Sequence, residues 1–149
     1  MCIRDSYDVA CSSAGNHDNN IYNKWWSETH NGVEAVYKKK KDDDGNEVEE
    51  LTWNAKIKTN QSLANNLKGH LLLTHGNIDN NVHPTNSLRL ADELIKAGKR
   101  FDMMIFPGKR HGYGSFRSYY EKMMWYYFAE HLLGDYRNNV DIALPNSGK

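Results

Sequence analysis

The stretch HLLLTHGNIDNNVHP, residues 70–84, constrains the fold more than any other part of the chain. Its first five residues, His70 to Thr74, form an apolar run suited to a buried strand. The run breaks at His75-Gly76 into a polar loop carrying Asp79, and Pro84 opens a helix-like segment. In PTNSLRLADELIKAG, Leu88, Ala91, Leu94 and Ile95 recur at helical spacing with charged residues between them, and Gly98 marks the stop. FDMMIF, residues 101–106, reads as a second buried strand and runs through Pro107-Gly108 into the polar loop KRHGYG. Strand, helix and strand in this order make a βαβ unit with a right-handed crossover, so the fold class is α/β. Parallel strands end on the same side, and ligands of open α/β sheets collect there. Asp79 and His111 can therefore meet although 32 positions separate them.

The flanking segments fit around this unit. YDVACSSA, residues 7–14, is a short β-prone run ending at Gly15 in the polar stretch GNHDNN. In IYNKWWSETH the spacing of Tyr22, Trp25 and Trp26 predicts a helical turn with its rings on one side, as core packing or as a pocket wall. Residues 36–53 carry Lys38 to Lys41, then Asp42 to Gly45, then EVEELTW. Asp44-Gly45 predicts a hairpin with opposite charges facing across it, a solvated insertion in the domain. Gln61 to Leu67 reads as a helical turn, and Tyr119 to Leu133 as a helix apolar almost all round, largely buried, with Gly134 as its stop.

Composition narrows the function. Nineteen basic and nineteen acidic residues cancel, which disfavours nucleic acid and anionic membrane as partners and favours a small-molecule or peptide ligand. No apolar run reaches the roughly 18 residues of a membrane span. Cys2 and Cys11 lack metal-like spacing, and His17, His30, His75, His83 and His131 show no ligand-like pattern, so no metal and no cofactor is expected. The expected organisation is a start of non-native or disordered character over residues 1–6, one partial α/β domain over 7–135, and a flexible tail over 136–149.

An Asp and a His at neighbouring strand ends are what an acyl-transfer triad requires. The histidine takes the nucleophile's proton, and the carboxylate fixes its tautomer and stabilises the imidazolium. In α/β-hydrolases the order is serine, acid, histidine, which puts the nucleophile upstream of Asp79. No G-x-S-x-G occurs; Ser12-Ser13-Ala14-Gly15 is the nearest serine cluster and lacks the first glycine. Taken singly, an Asp after a strand is commonly a cap or turn residue, and a His in a Gly-rich loop a surface residue.

HGNIDNNVHP, then PGKRHGYG, then an aromatic helix ending HLLGD, together with SSAGNHDNNIYNKWWSETHNG, resembles the C-terminal catalytic domain of the prolyl oligopeptidase family of serine peptidases, in its bacterial dipeptidyl peptidase IV-like branch. The resemblance spans roughly residues 7–135. It implies the C-terminal part of an α/β-hydrolase fold, with Asp79 as triad acid and His111 as base. It also implies that Tyr22 and Trp26 wall the S1 pocket for proline, Val82 adds an apolar side, and Asn81 holds a substrate carbonyl. By the same likeness the substrate is a peptide cleaved to release dipeptides with proline or alanine second. The nucleophile segment and an N-terminal β-propeller lie elsewhere in a longer protein, so the 149 residues alone are expected to be inactive. A homodimer through the last helix and a periplasmic or extracytoplasmic location are further implications. An esterase or acylaminoacyl-peptidase, or a non-catalytic binding relative, remain the alternatives.

Overall fold

The computed structural model describes residues 7–54, 57–137, 141 and 142. The expected non-native start over residues 1–6 and most of the 136–149 tail lie outside them. The elements are β1 (Val9–Ser13), α1 (Lys24–Asn31), β2 (Glu34–Lys41), β3 (Glu47–Asn54), β4 (His70–Gly76), α2 (Thr85–Lys96), β5 (Asp102–Phe106) and α3 (Arg117–Leu133), with 3-10 turns at Gln61–Asn66 and Gly114–Phe116. The chain divides into two units, one of residues 1–17 and 60–149, the other of residues 18–59.

In the larger unit, three parallel strands run in the order β1-β4-β5. The central strand β4 pairs Leu71 with Ala10 on one side and Leu73 with Met103 on the other. It runs two residues past Thr74, because His75 and Gly76 complete the ladder to Ile105 and Phe106. Both faces of the sheet are covered, which is why β4 reads as an unbroken apolar run. Alternate residues go to opposite layers. Ala10, Leu71 and Leu73 join Leu90, Ala91 and Leu94 of α2, while Val9 and Leu72 join Tyr127 of α3. At the carboxyl end Phe106 packs with Tyr113 and Tyr120.

Two helix expectations are corrected. The buried stripe of α2 is Ser87, Leu90, Ala91 and Leu94, whereas Leu88 and Ile95 are exposed. Both stripes obey helical spacing; the sheet sits against the one containing small and polar side chains. In α3, Tyr120 and Tyr127 are buried, but Trp125, Tyr126, Leu132 and Leu133 are exposed, so one side of a helix without a polar face has no cover among the described residues.

The smaller unit is a short helix followed by a hairpin. Asn23 caps α1 by accepting from the Trp25 amide, so Tyr22 precedes the helix and does not share a face with Trp25 and Trp26. Trp25 is well exposed, against the core-packing alternative. The register β2 to β3 sets Lys41 opposite Glu47, Lys39 opposite Glu49 and Lys38 opposite Glu50. The turn is longer than a two-residue Asp-Gly connection. The Asp42 carboxylate accepts from the amides of Asp44 and Asn46, and Gly45 takes a left-handed conformation at φ +84°.

Candidate active site

Asp79 lies three residues beyond β4, in a turn closed by its amide donating to the Gly76 carbonyl at 3.2 Å. Its Oδ1 accepts from the backbone amides of Asn81 at 2.9 Å and Val82 at 3.2 Å. Its Oδ2 accepts from Nδ1 of His111 at 2.8 Å, and the carboxylate side chain has no exposed surface. Burial pushes the Asp79 carboxyl upward, but the bonds from His111, Asn81 and Val82 outweigh it and hold the group below its ordinary range. Asp79 is therefore a carboxylate at neutral pH.

His111 reaches Asp79 because two loops run against each other. A Cβ at Gly76 would stand 2.3 Å from the Lys109 carbonyl oxygen and 2.7 Å from that of Arg110, so only glycine lets the second loop cross the strand end. The approach is fixed by Ile78 donating to the Lys109 carbonyl at 3.2 Å and by Gly108 donating to Asn77 Oδ1 at 2.7 Å. Beyond His111, Gly112, Tyr113 and Gly114 are all left-handed, at φ +87°, +65° and +50°. Such a run turns the chain sharply, and Tyr113 in that region is strained unless something holds it. Its hydroxyl does so at 2.8 Å from both Ser13 Oγ and Thr74 Oγ1, joining the ends of β1 and β4 to the histidine loop.

Since a carboxylate only accepts, His111 carries its proton on Nδ1 toward Asp79, and Nε2 is the nitrogen left to take one. Nearly half of the His111 side chain is exposed (47%) while that of Asp79 is not. A buried acid orienting an accessible imidazole is the arrangement required of a general base.

Ser12 and His17 could be mistaken for a nucleophile and base. Ser12 Oγ is 3.5 Å from His17 Nε2, and His17 Nδ1 is 3.0 Å from Asn60 Nδ2. The amide donates to Nδ1, so the proton of a neutral His17 sits on Nε2 and points at Ser12, the reverse of what activation needs. Both residues are also buried, and Gly15 leaves room for the ring: a Cβ at that position would stand 2.6 Å from His17 Cε1. Burial foremost, with the neighbouring His75 adding to it, lowers the His17 pKa to about 4. Unfolded His17 binds its proton near pH 6.5 and folded His17 does not until about pH 4. Stability from this group is thus complete above pH 6.5 and is lost as pH falls toward 4, by about 3 kcal/mol at roughly 1.4 kcal/mol per pH unit. Urea titrations between pH 7 and 4.5 should show this slope and should show it flattened in His17→Gln; equal slopes would refute the assignment.

The other sequence-derived residues divide between the units. Val82 is buried and Asn81 exposed, both bound through their amides to Asp79. Tyr22 and Trp26 belong to residues 18–59, where Tyr22 is half-buried and Trp26 is exposed, its ring 4.1 Å from that of His30. Motif and spacing do not single out His75, Ser87 or Tyr113, although a histidine inside the apolar run HLLLTHG demands a buried polar partner. Among the described residues no group of three or more His, Cys, Asp or Glu is placed to hold a metal ion, and no helix is long and apolar enough to cross a membrane.

Dipeptidyl peptidase family member 1 of Caenorhabditis elegans is 40% identical over 60 residues, covering 40% of this chain and 8% of the relative. Human dipeptidyl peptidase 8 is 39% identical over 64 residues, covering 42% of this chain and 7% of the relative. The chain thus spans under a tenth of the length of these curated relatives. The crystal structure of Porphyromonas gingivalis dipeptidyl peptidase 4 superposes with a TM-score of 0.58 over 82% of this chain and 16% of that one at 23% identity, a likeness of fold. The parallel sheet with helices on both faces is that of an α/β-hydrolase, in its C-terminal part. Residues 3–135 match the profile of the prolyl oligopeptidase family, and with Asp79 and His111 joined at the strand ends the chain belongs to that family.

Proposed function

We propose that this chain supplies the acid and the base of a serine peptidase that removes dipeptides, with proline or alanine preferred at the second position. The observation that carries the reading is the 2.8 Å bond from His111 Nδ1 to a buried, ionised Asp79. In the proposed reaction His111 Nε2 takes the proton of a serine hydroxyl as the oxygen attacks the scissile carbonyl. It then returns that proton to the leaving amine, while Asp79 stabilises the imidazolium between the two steps. No G-x-S-x-G stands in the 149 residues, so the serine and the oxyanion donors come from another segment of a longer polypeptide, together with a β-propeller. Asn81 is assigned to a substrate carbonyl, and Val82, Tyr22 and Trp26 to the side chain before the scissile bond. These four assignments rest on sequence likeness.

The test compares two proteins on a chromogenic dipeptide with proline second. The full-length protein should release the chromophore, and the 149-residue chain should not. Release by the short chain that disappears in His111→Ala would place a nucleophile within these residues and overturn the division of labour. Faster turnover of acyl esters or N-acylated peptides than of free-amino dipeptides by the full-length protein would favour an esterase or acylaminoacyl-peptidase.

A further inference from the structure

His75 is the penultimate residue of β4, four residues before Asp79, and is fully buried. Its Nε2 lies 2.8 Å from the Val82 carbonyl oxygen and 3.3 Å from Asp79 Oδ2, and its Nδ1 lies 2.8 Å from Ser87 Oγ. A carbonyl oxygen only accepts, so the proton of the neutral ring is on Nε2. Nδ1 is then a bare lone pair and accepts from the Ser87 hydroxyl. The opposite tautomer would turn a lone pair toward two oxygens. The Val82 carbonyl therefore locks the proton on the side that faces the acid, and Ser87 holds the opposite nitrogen.

The ring is anchored in the core. Ser87 sits on the face of α2 whose Leu90, Ala91 and Leu94 pack against the sheet. Val82 is held at both ends, its carbonyl by His75 and its amide by Asp79 Oδ1. Asp79 Oδ2 in turn faces two imidazole N–H groups, one from the exposed His111 and one from the buried His75. Without His75, the turn carrying Asp79 keeps its own backbone bonds but loses the side-chain link that runs through the ring to Ser87 of α2.

We propose that His75, held in one tautomer by the Val82 carbonyl and anchored to α2 through Ser87, is a positioning residue for the Asp79–His111 pair and for the Asn81–Val82 loop. It touches neither substrate nor the reacting atoms; it fixes which way the acid presents its lone pairs. The proposal rests on the acid–base reading above, and its test separates the two.

The test uses the full-length protein, with active sites counted by a fluorophosphonate so that misfolded molecules drop out. Ser87→Ala removes the hydroxyl that anchors the ring at Nδ1 with little change in volume, His75→Gln removes the ring, and Ser87→Thr keeps the hydroxyl. Ser87→Ala and His75→Gln should each lower kcat per titrated site on the order of 10²-fold, the scale of a displacement near 1 Å at a reacting group, with KM changing less. Ser87→Thr should retain most of the activity. In protein labelled with 15N-histidine, the Nδ1–H resonance assigned to His111 by its loss in His111→Ala should move in Ser87→Ala and stay in Ser87→Thr. A residue needed only for folding would lower the yield of titratable sites and leave both kcat per site and the resonance unchanged, which would overturn the proposal. If instead His111→Ala is as active as the parent protein, the peptidase reading fails, and the resonance still decides for or against His75.

Discussion

Replacing Asp79 by asparagine in the full-length protein is expected to reduce kcat per active site by about 10⁴-fold, the scale of the same change in a known serine peptidase triad. The cause is the direction of one proton. Asp79 Oδ2 accepts from His111 Nδ1, which leaves Nε2 free to act as base. An asparagine would keep its carbonyl oxygen on the Asn81 and Val82 amides, because those groups only donate. Its NH2 would then face Nδ1, draw the imidazole proton to Nε2 and abolish the lone pair the reaction needs. His111→Ala should cost a similar factor. The double variant should lose little more than either alone, because residues that act as a unit are not additive. A loss below tenfold in Asp79→Asn, measured per titrated site, would remove Asp79 from the role of triad acid.

Gly76→Ala should have the next largest effect, and through sterics alone. The added carbon would overlap the backbone of Lys109 and Arg110, which belongs to the loop that carries His111 and cannot swing aside as a side chain can. The two loops must separate, breaking the Ile78 to Lys109 bond and displacing the imidazole from the acid. Stability should fall by about 1–3 kcal/mol, as for overpacking elsewhere. Activity per folded molecule should fall on the order of 10²-fold. Gly98→Ala is the control: Gly98 is left-handed, at φ +65°, but a Cβ there would meet nothing within 4 Å. It should cost stability by about 1–2 kcal/mol and spare activity. Wild-type activity in Gly76→Ala would show that the loops do not need this close approach.

What the sequence disclosed follows from the range over which each interaction acts. The run HLLLT, the stripe of α2 and FDMMIF announce themselves by local periodicity, and parallel pairing then places Asp79 beside His111. The faces of the helices are harder to read. Leu88 and Leu90 satisfy an amphipathic pattern equally well, and the sheet selects the stripe with Ser87 because Ser87 answers His75. The polar supports of the site are least legible. Tyr113 finds Ser13 a hundred residues away and Thr74 thirty-nine away, and no local pattern records such a pairing. In the same way, α3 has no polar side from which to infer what stays exposed.

The strand order has a consequence for how the chain tolerates change in length. β4 joins β5 across 30 residues, from Leu72 to Asp102, and joins β1 across 61, from Val9 to His70. Most of that second span is the separate unit of residues 18–59. The entropy of closing a flexible loop grows only with the logarithm of its length, so even doubling this excursion costs roughly 0.6 kcal/mol. Asp79 sits in the short span and His111 in the loop after β5, whereas Tyr22 and Trp26 lie in the long span. A change in the length of residues 18–59 is therefore expected to leave the Asp79–His111 pair in place.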